Sequence, residues 1–249
     1  MNLTPRERLI VALDVDSAQR ARALVRDLNQ LAGMFKIGSH LFTAAGPEIV
    51  REIVRSGSQV FLDLKFHDIP NTVASAAAAA TRLGVRMLNL HAAGGAEMMR
   101  RTRGAVSEAA DEERIPRPWV IAVTVLTSAD AVALKEVGVP SPPEAQVTVL
   151  AKLAAANGMD GVVASPREVA LIRSNVSLPE FLIITPGIRP SDSPLGDQKR
   201  VMNPAGALKI GADFIVVGRP ITEAPDPAEA ARLIIDEMEK AAPGGRLNE

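Results

Sequence analysis

Short apolar runs alternate with amphipathic stretches along the chain, the pattern of repeated strand–helix units that build a parallel sheet. Eight such runs are readable, at 9–15, 34–38, 60–65, 87–92, 119–126, 161–164, 181–185 and 214–218. The intervening stretches carry helix signals. The segment 17–31 opens at Ser17 as N-cap, and 71–83 contains the alanine run 76–80, strong helix-forming sequence that Gly84 stops. A helix at 94–110 presents Arg100, Arg101 and Arg103 on a solvated face, and Pro116 and Pro118 close the loop before the fifth run. Pro140-Ser141-Pro142-Pro143 interrupts the fifth crossover before a helix at 144–157. Ser165-Pro166 and Asn203-Pro204 each place a proline just inside an N-cap, and 227–241 forms the last helix. The tail from about 243 is expected to fray.

Eight units in 249 residues, with no dividing linker, predict a single-domain α/β fold, the (β/α)8 TIM barrel. The rival, an open doubly wound sheet, lacks its usual Gly-x-Gly-x-x-Gly after a strand. With 47% hydrophobic and 23% charged residues, the chain can bury one large core. A formal net charge of −1 without any long Lys/Arg block argues against nucleic acid or a membrane surface as partner. The absence of Tyr and the single Trp119 argue against a stacking platform for single-stranded nucleic acid. There is no cysteine, and His40, His67 and His91 have no paired spacing, so metal chemistry would have to rest on carboxylates. The N-terminus is polar and unlike a signal peptide, and the apolar runs are far short of a membrane span; a cytoplasmic location is expected.

In a barrel of this kind the chemistry sits at the C-terminal ends of the strands. The polar residues falling there are Asp14, Lys36, Asp63 and Lys65, Asn89 and His91, Thr124 and Thr127, Ser165, Thr185 with Arg189, and Arg219. Lys36 lies inside the apolar run Met34-Phe35-Lys36-Ile37-Gly38, where an ammonium is costly unless paired; Asp14, Asp63 and Asp68 are the candidate anions. Strand alternation puts Asp63 and Lys65 on one face, with Asp68 beyond in the loop. The bland reading is a salt-bridged strand end, or a buried charge network that merely fixes the barrel.

Two loops suit an anion. Thr185-Pro186-Gly187-Ile188-Arg189 and Gly218-Arg219-Pro220 follow the last two strands, where such barrels commonly hold phosphate: glycine lets backbone N–H groups approach, and arginine adds a planar charged donor. The polar segment 190–201 reads as a lid, from which Gln198 could reach a ligand. His67 and His91 read more simply as hydrogen-bonded structural groups, and His40 as surface.

The stretch Asp63-Leu64-Lys65-Phe66-His67-Asp68-Ile69-Pro70-Asn71-Thr72 resembles the signature of the orotidine 5′-phosphate decarboxylase family. The likeness extends in order through Val11-Ala12-Leu13-Asp14, Phe35-Lys36-Ile37-Gly38, Leu90-His91-Ala92-Ala93-Gly94-Gly95, Val123-Thr124-Val125-Leu126-Thr127-Ser128, Thr185-Pro186-Gly187-Ile188-Arg189, Asp197-Gln198-Lys199-Arg200 and Val217-Gly218-Arg219-Pro220. The resemblance implies decarboxylation of orotidine 5′-phosphate to UMP without cofactor or metal. It implies a charged tetrad of Lys36, Asp63, Lys65 and Asp68, with Lys65 as proton donor. Asp14, Lys36 and Thr72 would hold the ribose and Thr127, with Ser128, the pyrimidine; Arg189, Gln198, Gly218 and Arg219 would hold the phosphate, Gln198 bridging towards the base. Asp68 and Thr72 would come from the second subunit of a homodimer. Related phosphosugar barrels share the shorter Asp-x-Lys-x-x-Asp core, so a magnesium-dependent sibling such as a 3-keto-gulonate-6-phosphate decarboxylase or a hexulose-phosphate synthase is the nearest alternative. A non-catalytic phosphate-ligand-binding barrel is the alternative of another class.

Overall fold

In the computed structural model, which describes residues 3–190 and 202–240, the eight apolar runs become eight parallel strands. They are β1 (Leu9–Ala12), β2 (Met34–Gly38), β3 (Val60–Phe66), β4 (Met87–His91), β5 (Trp119–Val123), β6 (Gly161–Val163), β7 (Leu182–Thr185) and β8 (Phe214–Val217). Each strand pairs with the next, and β8 pairs with β1, closing the barrel. The expected count, order and fold are therefore observed. Several strands end earlier than their apolar runs: β1 stops at Ala12 rather than at 15, and β5 at Val123 rather than at 126. The β5 ladder ends there because both neighbours do: β4 pairs with it only as far as His91 opposite Val123, and the three-residue β6 only over Ile121 to Val123.

Period-two alternation sorts the strand side chains into two apolar layers. Inward positions Ile10, Ala12, Met34, Phe61, Met87, Ile121, Leu182, Ile184, Phe214 and Val216 fill the lumen. Outward positions such as Val11, Phe35, Leu62, Leu88, Val120 and Ile183 pack under the helices. At the N-terminal end Trp119 stacks tilted against Phe214, ring centroids 5.6 Å apart, and the Arg86 guanidinium lies 4.0 Å from the Trp119 ring centroid. The lumen is thus closed below, leaving its upper end for polar inward residues.

Helices follow the expected signals with small shifts. Ser17 caps Ala18–Leu28 by accepting from the Arg20 amide, and Asn203 caps Pro204–Lys209 in the same way through Gly206. The alanine-rich helix runs over Pro70–Thr81 and packs closely on Gly95–Glu113, which the small buried faces of Ala74, Ala77 and Ala80 permit. Pro143–Ala156 and Pro227–Glu239 match the late helices, whereas Ser165-Pro166 opens a 3-10 turn, Pro166–Glu168, before the helix Val169–Asn175. Five α-helices among the described residues carry no expectation: Pro5–Arg8, which Thr4 caps; Ser39–Ala45 and Glu48–Arg55, which divide the second crossover; Ala131–Glu136; and the single turn Arg219–Thr222. Among the described residues no helix is long and apolar enough to cross a membrane. All but the first residue of the lid expected over 190–201, and the frayed tail expected from 243, lie outside the described residues.

Candidate active site

Above the apolar lumen, the inward positions of β2 and β3 and the residues just beyond β1 turn polar. Lys36, buried in mid-β2, places its Nζ 3.0 Å from Asp14 Oδ1 and 3.2 Å from Asp63 Oδ2. Burial works against this ammonium, but the Asp63 and Asp14 carboxylates outweigh it and raise its pKa above the ordinary lysine value. Glycine at 38 leaves room for the pair: a Cβ there would lie 3.2 Å from Lys36 Nζ and 3.5 Å from Asp14 Oδ1.

Asp63 is the hub. Its Oδ1 accepts from Lys65 Nζ at 2.6 Å and from Asn89 Nδ2 at 2.6 Å, while Oδ2 faces Lys36. Burial alone would push this carboxyl up; Lys36 and Lys65, with the hydrogen bonds from Lys65 and Asn89, hold it below the usual carboxylate range. A carboxylate so placed is ionised and fully engaged.

Lys65 reaches Asp63 by a route that simple alternation does not describe. The β3–β4 register passes from Leu62 opposite Leu88 to Phe66 opposite Leu90, so the strand bulges, and Lys65 takes φ +51°, in the left-handed region. That conformation costs a non-glycine residue about 1–2 kcal/mol. The other non-glycine residue there among the described residues, Arg114, ends a helix in the ordinary way. The Asn89 Oδ1 accepts the Lys65 backbone N–H at 2.8 Å, and Asn89 is wholly buried. Strain at a bulge beside paired charges is the pattern of a functional site.

Asp14, Lys36, Asp63 and Lys65 line one side of a cavity of about 340 Å³. Thr127, Gly187, Arg189, Gly218 and Arg219 line it too, together with apolar side chains such as Val125 and Ile188. Gly187 takes φ +77°, and a Cβ at Gly218 would come into van der Waals contact with Ala12 and Asp14, at 3.6 and 3.8 Å. The Arg189 amide donates to the Met202 carbonyl, fixing the two points between which residues 191–201 run. Gln198 lies in that stretch, outside the described residues.

Other expected positions separate. Asp68 does not join Lys36: it lies exposed in the loop, where its Oδ1 accepts the Ile69 amide, and Thr72 is exposed on the first turn of Pro70–Thr81. Neither lines the cavity. Thr124 is tied to the Val163 carbonyl, Ser165 caps the turn after β6, and Thr185 points outward beneath the helices without a hydrogen-bond partner among the described residues. Ser128 is exposed and His40 is a surface residue near Asp16. His67 and His91 meet ring to ring at 5.4 Å; burial, then His67 and Lys65, lower the His91 pKa against the opposing pull of Asp63. Among the described residues no three His, Cys, Asp or Glu side chains are grouped as a metal site. Sequence reasoning noted Asn89 without giving it a task; the signal was a polar residue amid Met87-Leu88-Asn89-Leu90, which must find partners when buried.

The model of the family described as Orotidine 5′-phosphate decarboxylase / HUMPS matches residues 7–234. Over 235 residues the chain is 55% identical to the orotidine 5′-phosphate decarboxylase of Moorella thermoacetica, an alignment covering 94% of this chain and 93% of that one. The enzyme of the same name from Geobacter sulfurreducens is 54% identical over 235 residues, covering 94% and 96%. Among solved structures, orotidine 5′-phosphate decarboxylase from Lactobacillus acidophilus superposes with a TM-score of 0.80 at 36% identity, covering 92% of this chain and 98% of that one.

Proposed function

Since the chain belongs to the orotidine 5′-phosphate decarboxylase / HUMPS family and is an enzyme of it, we propose that it decarboxylates orotidine 5′-phosphate to UMP and CO2 in the cytoplasm, the last step of UMP synthesis, without cofactor or metal. The observation that carries this reading is the contact series Lys36–Asp63–Lys65 on the wall of a cavity that Arg189, Gly218 and Arg219 also line. A phosphate held by Arg219, Arg189 and the open backbone at Gly218 directs the base towards Thr127 and the charged wall. Asp14 and Lys36 then face the ribose hydroxyls. Gln198 is assigned to bridge phosphate and base.

Loss of CO2 from C6 leaves a carbanion in the ring plane with no delocalising sink, so the protein must present positive charge and a proton at that atom. The Lys65 ammonium supplies both. In the step, the C6–carboxylate bond breaks, its electron pair stays on C6, and a Lys65 N–H proton is delivered there, giving UMP, CO2 and a neutral amine that solvent reprotonates. Asp63, held ionised by its partners, would stand against the substrate carboxylate; like charges about 4 Å apart at an effective dielectric of 20 repel by roughly 4 kcal/mol, and departure of neutral CO2 relieves this. Preorganised contacts on a remote phosphate raise turnover as well as binding by orienting the reacting ring.

Asp68 and Thr72 fit this reading only as contributions to a neighbouring cavity. Both are exposed, and the adjoining Ile69 is 66% exposed, an apolar side chain suited to burial at a subunit contact. A homodimer in which each loop 67–72 completes the partner's site gives the tetrad Lys36, Asp63, Lys65 and Asp68 a net charge of zero.

The reaction is tested by following loss of orotidine monophosphate by ultraviolet absorbance with EDTA present. Metal-independent conversion to UMP is expected. No conversion by folded wild-type protein, with magnesium-dependent turnover of a keto-sugar phosphate instead, would transfer the chain to the phosphosugar branch of its family.

A further inference from the structure

Where β3 bulges, its ladder with β4 is interrupted: four residues, Asp63 to Phe66, span the interval that Asn89 and Leu90 occupy on β4. The Lys65 N–H, carried off the ladder by φ +51°, needs another acceptor, and the Asn89 side chain provides it at 2.8 Å. The same carboxamide donates at 2.6 Å to Asp63 Oδ1, the oxygen that also receives Lys65 Nζ. Only a group with an acceptor and a donor on one rigid plane serves both contacts, which fixes the amide orientation and disqualifies leucine or an ionised aspartate. Asn89 is fully buried and outside the cavity lining, so it acts through its neighbours rather than on a ligand.

We propose that Asn89 is a positioning residue for the reaction: its side-chain amide replaces the missing ladder bond, holds Lys65 in its left-handed conformation, and so aims Lys65 Nζ at the reacting carbon while fixing the Asp63 carboxylate beside it. The energetic logic is a strained backbone secured by buried hydrogen bonds, the support that holds a catalytic group to a fraction of an ångström. The kinetic consequence rests on the decarboxylase reading above; the structural one does not.

Two variants test it. Asn89→Ala removes both contacts, and its crystal structure should show Lys65 out of the left-handed region or its Nζ off Asp63. Its kcat for orotidine monophosphate should fall by about 100-fold with KM changed less than about threefold, the split expected of lost positioning rather than lost binding. Asn89→Asp, nearly isosteric, keeps the acceptor but can donate only when protonated. The charged and titratable groups around that carboxyl are Asp63 and Lys65, with Lys36 beyond Asp63 and His91 two residues along the strand. Its activity relative to wild type should therefore rise as pH is lowered, a limb that a merely structural role would not produce. The inference is overturned if Lys65 keeps its conformation and its contact with Asp63 in Asn89→Ala, or if both variants retain kcat within threefold. Should Asn89→Ala fail to fold, the crystal structure and pH profile of Asn89→Asp decide alone. Should wild type not turn over orotidine monophosphate, the decarboxylase reading fails, and the two variant structures still decide whether Asn89 holds Lys65.

Discussion

At the scale of single residues, the fold biases the protonation of Lys36, Asp63 and His91. Lys36 has a folded pKa above its unfolded value, so the stability it contributes is complete below the ordinary lysine value and is lost as pH rises through the folded one. Asp63 has the opposite shift, and its contribution is present above the ordinary carboxylate value and is lost as pH falls through its folded value. His91, whose pKa is also lowered, follows the Asp63 pattern in sign: its neutral form stabilises the fold above the ordinary histidine value, and the contribution disappears on acidification. Replacing it by His91→Gln should therefore flatten the fall in Tm between about pH 7 and about pH 5; parallel Tm curves for the variant and wild type would remove His91 from that transition. At the other side of the cavity, Arg219→Ala should weaken UMP binding by about 10- to 100-fold, the loss of one or two charge-assisted hydrogen bonds. Unchanged binding by calorimetry would take Arg219 out of the phosphate site. Much of this set was legible from types and spacing: Asp63 and Lys65 two apart at a strand end, a lysine buried in an apolar strand, a glycine and an arginine after the last strand. The bulge was not, because period-two alternation assumes an unbroken ladder, and the partner that makes it possible, Asn89, lies 24 residues away from Lys65.

At the scale of elements, the barrel depends on close backbone approaches that only small residues allow. A Cβ at Gly161 would sit 2.2 Å from the Leu182 carbonyl oxygen, so Gly161→Ala must separate β6 from β7 or twist one of them. A loss of roughly 1–3 kcal/mol in urea unfolding is expected; an unchanged midpoint would mean that this end of β6 is free to move. Strand count and order were readable because buried parallel strands are continuous apolar runs bounded by polar helices. The second crossover was not, since Gly46 at φ +67° and Pro47 divide it into two helices of seven and eight residues, each too short for a periodic signal to accumulate. Strand ends were overextended at β1 and β5, because an apolar side chain signals burial whether or not its backbone still has a partner strand, whereas β2 ended where expected and β3 ran one residue further, to Phe66.

At the scale of the whole molecule, one chain holds Lys36 and Lys65 each against Asp63 and keeps Asp68 and Thr72 apart, on an exposed segment beside an exposed isoleucine. A dimer in which these loops exchange would give two identical composite sites, the isologous arrangement most common among homo-oligomers. The fold itself needed no second chain to be foreseen from the sequence, whereas the place of Asp68 came from family resemblance, since strand spacing says nothing about which subunit a loop residue serves. The most direct measurement is therefore orotidine monophosphate turnover by a mixture of two inactive variants, Lys65→Ala and Asp68→Ala, after subunit exchange verified by native mass spectrometry. Each hybrid dimer contains one site with both residues intact, so full exchange at equal amounts should restore about a quarter of wild-type activity. No recovery from fully exchanged, folded hybrids would contradict a shared site in which Lys65 of one chain works beside Asp68 of the other.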